Sequence, residues 1–203
     1  MKIREIDKHD RVYIRNVVDV HVLTFKGFFL TFMGKGFLNV MYECYCEHSD
    51  SGLIGAFDDN NLLLGFLAYS EDMSGLYKYM LRKKLFVFAW YSFLAFIKKP
   101  KIFIRLLRAL GKPGESKRDE RYIELSSIGV RPEYNSLGIG TQLITYLKQM
   151  PGIDKYKYIS LETDAVDNDR TNLFYKKNGF VLFRVYFTAE NRKMNEYHWE
   201  IFK

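Results

Sequence analysis

The stretch best equipped for chemistry is IELSSIGVRPEYNSLGIGTQL, residues 123–143. It reads as an apolar-alternating strand, a short loop bearing glycines, and the start of a helix. The first N–H groups of a helix have no intrahelical acceptors and lie at the positive end of its dipole. Glycines let an anion approach them closely. Such a turn suits a pyrophosphate, although two glycines are also what a tight turn alone requires. No Walker loop and no three-glycine dinucleotide fingerprint is present, which argues against ATP and NAD. Other constellations are poorer. Cys44 and Cys46 are one residue apart in a helical pattern, too close for an unstrained disulfide, and read as reduced thiols. None of the 4 histidines has a neighbour at metal-ligand spacing, so no metal is expected and each histidine reads as a surface or packed residue. There is no Ser, His and Asp string with an elbow glycine pattern and no cysteine near the loop, which disfavours a covalent acyl-enzyme.

These residues must be positioned by a chain of 203 residues, about one domain's length, and residues 1–203 are read as a single domain. With 17 Phe, 15 Tyr and 2 Trp there is ample material for a core. Lys and Arg number 31 against 24 Asp and Glu, a net charge of +7 that favours phosphates, nucleic acid or an anionic membrane face as partners without choosing among them. The opening MKIREIDKHDR lacks the features of a secretory signal, so a cytoplasmic location is expected. The longest uncharged apolar run, residues 85–97, is shorter than the roughly 20 residues of a membrane-spanning helix and reads as a buried or interfacial helix.

Along the chain, residues 2–6 alternate as a strand, and Asp7 or Asp10 caps a helix running to about Thr24. The glycines of GFFLTFMGKG, residues 27–36, mark bends before a second helix from Phe37. Residues 52–57 and 62–69 form a hairpin around Asp58, Asp59, Asn60 and Asn61. Residues 71–120 carry two helical patterns separated by Pro100 and read as an insertion. In the second, Lys98, Lys101, Arg105, Arg108 and Lys112 step by three and four residues, which makes residues 98–112 either a solvated face or a surface for an anionic membrane. Then follow a strand at 122–130, a helix at 138–150, a strand at 158–163 and a helix at 169–178. Strands at 180–188 and 197–202 flank a polar loop at 190–196.

The chain resembles the GNAT superfamily of acyl-CoA-dependent N-acyltransferases. Two motifs carry the resemblance. The family's loop of Arg or Gln, two residues, Gly, one residue, then Gly or Ala is matched by Asn135, Ser136, Leu137, Gly138, Ile139 and Gly140, with Asn in the first position. The family's Asn, six residues, Tyr, three residues and GlyPhe is matched by Asn168, Tyr175 and Gly179-Phe180. The resemblance implies an α/β (α+β) fold: a mixed, mostly antiparallel sheet flanked by helices and splayed between its fourth and fifth strands, here with a two-helix insertion. It implies acetyl-CoA as acyl donor and no metal. The diphosphate would lie on residues Asn135 to Thr141, and pantetheine would pair with the backbone of Ile128 and Val130. Asn168 would hydrogen-bond the cofactor or hold the splayed strand ends.

An alkyl ammonium must lose a proton before its nitrogen attacks a thioester. The resemblance offers Glu124 as that base, with an exposed strand carboxylate as the plain alternative and a water chain as another route. Tyr175 would protonate the departing thiolate, and a backbone N–H near Val130 would bind the oxyanion. The acceptor would enter between the loop at 25–34, where Phe28 and Phe29 either stack on a sugar or belong to the core, and the loop at 188–195, where Glu190 could pair with a cationic amine. A small-molecule amine or amino sugar is the expected acceptor, acetylated by direct transfer in a ternary complex, with nucleic acid disfavoured. The inserted helices would form a lid or a homodimer surface. The competing reading is a non-catalytic acyl-CoA-binding module that docks on an anionic membrane or nucleic acid through its basic helix.

Overall fold

In the computed structural model, residues 1–98, 100, 120–188 and 191–202 are described. The chain opens with β1 (Lys2–Glu5), α1 (Arg11–Thr24), α2 (Phe29–Met33) and α3 (Lys35–Glu47). The hairpin follows as β2 (Ser51–Phe57) and β3 (Leu63–Ser70), then α4 (Met73–Lys98) and β4 (Tyr122–Val130). The last third comprises α5 (Ile139–Lys148), β5 (Tyr158–Asp164), α6 (Asp169–Lys177), β6 (Val181–Phe187) and β7 (Lys193–Glu200). Among the described residues these strands form one seven-stranded sheet ordered β1-β2-β3-β4-β5-β7-β6, antiparallel at every pairing except β4 with β5. The mostly antiparallel mixed sheet is therefore as expected, and the bends between the first helices fall at glycines. Gly34 terminates α2 at φ 90°, a conformation a side chain would strain.

Two cores cover the two faces, as the alternation along a strand requires. Leu53, Phe57, Phe66 and Ala68 pack with α1 and α3, through Ile14, Val17, Val18, Leu38 and Tyr42. Ile54, Ala56, Leu67 and Tyr69 face the other way and pack with α5, through Leu143, Ile144 and Leu147.

β4 breaks this alternation once. Leu125 is opposite Tyr69 and Ser127 is opposite Ala68, so Ser126 is the extra residue of a β-bulge. Before the bulge Ile123 and Leu125 point to the α5 face; after it Ile128 and Val130 do, while Ser127 and Gly129 oppose Ala68 and Phe66 on the α1 face. The parallel pairing of β4 with β5 ends early, at Glu124 opposite Ser160. Beyond that point β4 remains paired to β3 but not to β5, which is the expected splay.

Two expectations are corrected. Residues 193–196 belong to β7 rather than to a polar loop, because their polar groups are satisfied inside the sheet. Fully buried Glu196 bonds Arg184 and His198, each at 2.6 Å, and Asn195 donates to Asn172 at 2.8 Å. The run at 85–97 is helical within α4, as expected, but of the two alternatives the buried one does not hold, since Phe86, Trp90, Phe93 and Ile97 are all exposed. Of the basic stripe, Lys101, Arg105, Arg108 and Lys112 lie outside the described residues, as does Glu190.

Removing one partner of a buried ion pair leaves the other uncompensated, at a cost of about 3–5 kcal/mol. Because Arg184 is half-exposed and water can take over its charge, Glu196→Ala should lower unfolding stability by less, about 1–3 kcal/mol, read from the urea midpoint, as buried His198 loses its hydrogen-bond partner.

Candidate active site

The gap between β4 and β5 opens a cavity of about 900 Å3. Its walls come from both sides of the sheet: His21, Phe25 and Phe28 from α1 and the loop after it, Gly138, Asn168 and Tyr175 from the α5 and α6 side. The passage therefore runs through the sheet. Strand alternation explains what β4 offers it. Arg131 N–H donates to Leu64 C=O at 2.8 Å, so the N–H and C=O groups of Val130 and Ile128, displaced by one and three positions, point away from β3 and into the gap.

At the α5 end the loop is built as an anion cradle. Gly138, at φ 75°, caps α5 with no side-chain hydrogen bond, and a Cβ placed there would meet nothing within 4 Å. Ser136 is also left-handed, at φ 68°, and its hydroxyl accepts from Arg170 at 3.2 Å, which puts a guanidinium beside the turn. Gly140 lets α6 close in, since a Cβ there would stand 3.0 Å from the Phe174 ring. The open backbone, the free helix amides and the nearby arginine fit a diphosphate.

Asn168 precedes α6 but does not cap it with its side chain. Its amide instead donates to Thr163 Oγ1 at 2.8 Å and to Asp164 C=O at 3.1 Å, at the free end of β5. Asn172 also donates to Asp164 C=O, at 3.0 Å, and accepts from Tyr197 and Asn195. These bonds tie the end of β5 to α6 and β7 instead of β4. Tyr175 lines the cavity and its hydroxyl has no hydrogen-bond partner among the described residues. Burial pushes its pKa well above the ordinary phenol value, so it holds its proton at neutral pH.

Ile128, Val130, Asn135, Ser136, Gly138 to Thr141, Phe28 and Phe29 all line the cavity. Leu137 does not and is exposed at the turn. Glu124 stands outside the wall, at the closed end of the split between Ser70 and Ser160, on the face that holds Tyr45. The cysteines are free, and burial pushes both thiols up to about 12, so they stay protonated. Among the described residues no group of three or more His, Cys, Asp or Glu could hold a metal, and no helix is long and apolar enough to cross a membrane.

Sequence reasoning passed over several wall residues. Glu162 and Asp164 bring carboxylates to the rim, Asp164 gripped by Arg192 with both oxygens at 2.8 Å and Glu162 accepting from Tyr186 at 2.6 Å. The larger omission is His21. It is buried, its Nδ1 lies 2.7 Å from the Tyr42 hydroxyl, and its Nε2 is buried without a partner among the described residues. Its spacing from Ile14, Val17 and Val18 on the buried stripe of α1 was the available signal: a polar residue on an apolar face.

The match to known proteins follows the geometry. The model of the acetyltransferase (GNAT) family covers residues 24–180, and the chain belongs to that family as an N-acetyltransferase. No curated protein matches the sequence. Aminoglycoside 6'-acetyltransferase type Ii is 18% identical, with a TM-score of 0.64 over 100% of this chain and 99% of its own. An aminoglycoside 6'-N-acetyltransferase complexed with coenzyme A is 15% identical at a TM-score of 0.59, covering 100% and 98%. A variant of spermidine N-acetyltransferase from Vibrio cholerae is 13% identical at a TM-score of 0.59, covering 99% and 95%. At these identities the likeness is one of fold.

Burial lowers the His21 pKa from 6.5 to about 4. The unfolded chain binds this proton below pH 6.5 and the folded chain only near pH 4, so the group costs stability progressively as pH falls between those values. The cost approaches roughly 3 kcal/mol at the acid end. Urea titrations at pH 7 and pH 4.5 should show wild type losing more stability than His21→Phe over that interval.

Proposed function

We propose that this N-acetyltransferase moves the acetyl group of acetyl-CoA directly to a primary amine of a small molecule, an amino sugar being the favoured type, within a ternary complex. The observation that carries the reading is the passage through the sheet, with an amide-lined turn at one mouth and an aromatic wall at the other. The two substrates can thus meet at β4 from opposite faces.

The amides of residues 136–141, with Arg170 beside them, hold the diphosphate. The inward-facing backbone of Ile128 and Val130 pairs with the pantetheine arm as a strand would, and an N–H in this segment stabilises the charge developing on the thioester oxygen. Acetyl-CoA supplies the activated acyl carbon. The ammonium first gives one proton through water to Glu124 at the closed end of the split; the neutral nitrogen then bonds to that carbon and the carbon–sulfur bond breaks. The protonated Tyr175 hydroxyl gives its proton to the departing thiolate, and the second proton lost by the nitrogen returns through water to the Tyr175 oxygen. Phe28 and Phe29 flank the acceptor. Glu190 is retained as a partner for a cationic amine, and the insertion at about 71–120 as a lid or a homodimer surface.

Glu124→Gln and Tyr175→Phe should each lower turnover by about 100-fold or more while leaving acetyl-CoA affinity within a few-fold. Free-thiol release over a panel of amines and calorimetric titration with acetyl-CoA read the two quantities separately. Undetectable binding of coenzyme A and its thioesters would defeat the reading. Binding without turnover on any amine would favour the non-catalytic module instead.

A further inference from the structure

The α1 side of the cavity carries one buried polar feature that no step above uses. Phe25, Phe28, Phe29 and Leu30 supply its wall from the α1 side, and His21 lies beneath them, its ring 4.7 Å from that of Phe25. One nitrogen of His21 is fixed and the other is not. Nδ1 meets the Tyr42 hydroxyl at 2.7 Å, and Tyr42 is in turn hydrogen-bonded to Ser127, the residue just after the β4 bulge. Nε2 is buried and has no partner among the described residues.

The direction of this chain sets the tautomer: when Ser127 donates to Tyr42 and Tyr42 donates to His21 Nδ1, the proton of the neutral imidazole is left on Nε2. A buried N–H donor set in an aromatic wall is costly while unmet and selective once met, because only an acceptor atom can satisfy it.

We propose that His21 Nε2–H is the specificity anchor of the acceptor site, donating a hydrogen bond to a hydroxyl or carbonyl oxygen carried near the reacting amine. The proposal rests on the acetyltransferase reading and narrows it. Amines with an oxygen substituent beside a ring or other apolar body satisfy both the donor and the wall. Protonated polyamines present only N–H donors and leave Nε2 unmet. Because Nε2 already holds a proton, His21 takes none from the amine, so its role is selection rather than base catalysis.

The test combines a spectroscopic and a kinetic arm on the full chain. In histidine-labelled nitrogen NMR, the signals absent from His21→Phe should show the neutral tautomer protonated at Nε2. A proton on Nδ1 would overturn the proposal. For kinetics the probes are 2-amino-1-phenylethanol and phenethylamine, which differ by one hydroxyl. Wild type should prefer the first about tenfold in kcat/KM, chiefly through KM, the size of one hydrogen bond. His21→Phe should reduce that preference to within twofold, and His21→Gln, whose amide can still donate, should retain part of it. A preference unchanged in His21→Phe, or no preference in wild type, would overturn the anchor. Titration of the same samples with acetyl-CoA separates the two failures: lost binding defeats the acetyltransferase reading, whereas intact binding with an unchanged preference defeats the anchor alone.

Discussion

The site depends on a pairing that stops. β4 and β5 run parallel for three residue pairs, Tyr122 with Tyr158 through Glu124 with Ser160, and then separate while each keeps its other neighbour. A buried strand edge with unmet N–H and C=O groups is unfavourable, so separation requires other partners for those groups. β5 finds them through Asn168 and Asn172, which hold the Asp164 carbonyl, and through β7, which pairs along its whole length. β4 has less of this on its open side, where Thr24 Oγ1 donates to Val130 C=O at 3.3 Å. The backbone of Ile128 and Val130 is left able to bond a ligand, and that unmet capacity is what an extended donor arm can use.

Polar residues elsewhere in the interior serve the same arrangement. Glu196 is fully buried between Arg184 and His198, and His198 is stacked between Tyr158 and Phe183 at 4.1 Å from each. These contacts join β7 to β5 and β6 into a rigid half of the sheet. The other half, β1 to β4, is held by the apolar core shared with α1 and α3. The cavity lies where the two halves part, with each wall stiffened from behind by its own packing.

Much of this was legible in the sequence. β4 occupies residues 122–130 as its alternation indicates, and the glycine turn and the stretch from Asn168 to Tyr175 lie side by side along one cavity, because local periodicity and turn chemistry determine such features. What escaped depended on contacts between distant segments. The first residues of β7 look like a loop until Arg184, Asn172 and His198 are seen to satisfy them. His21 is 106 residues from Ser127, and only the fold links them through Tyr42. Glu124 shares its strand with the cavity wall, yet the position where β5 departs decides that it stands beyond that wall, and no residue spacing encodes that position.

The bulge at Ser126 acts as a frameshift in the strand. The apolar phase of β4 changes there, from Ile123 and Leu125 to Ile128 and Val130, across a pair of serines small enough to sit on either face. Were both serines paired in regular register, with no bulge, the count would run unbroken: Ile128 and Val130 would turn their side chains toward α1, and their backbone groups would exchange the gap for β3. The strand would still form and the glycine turn would still follow it, but the backbone groups offered to the gap would be those of Ser127 and Gly129. A single unpaired residue thus chooses which backbone groups of the open strand meet a guest.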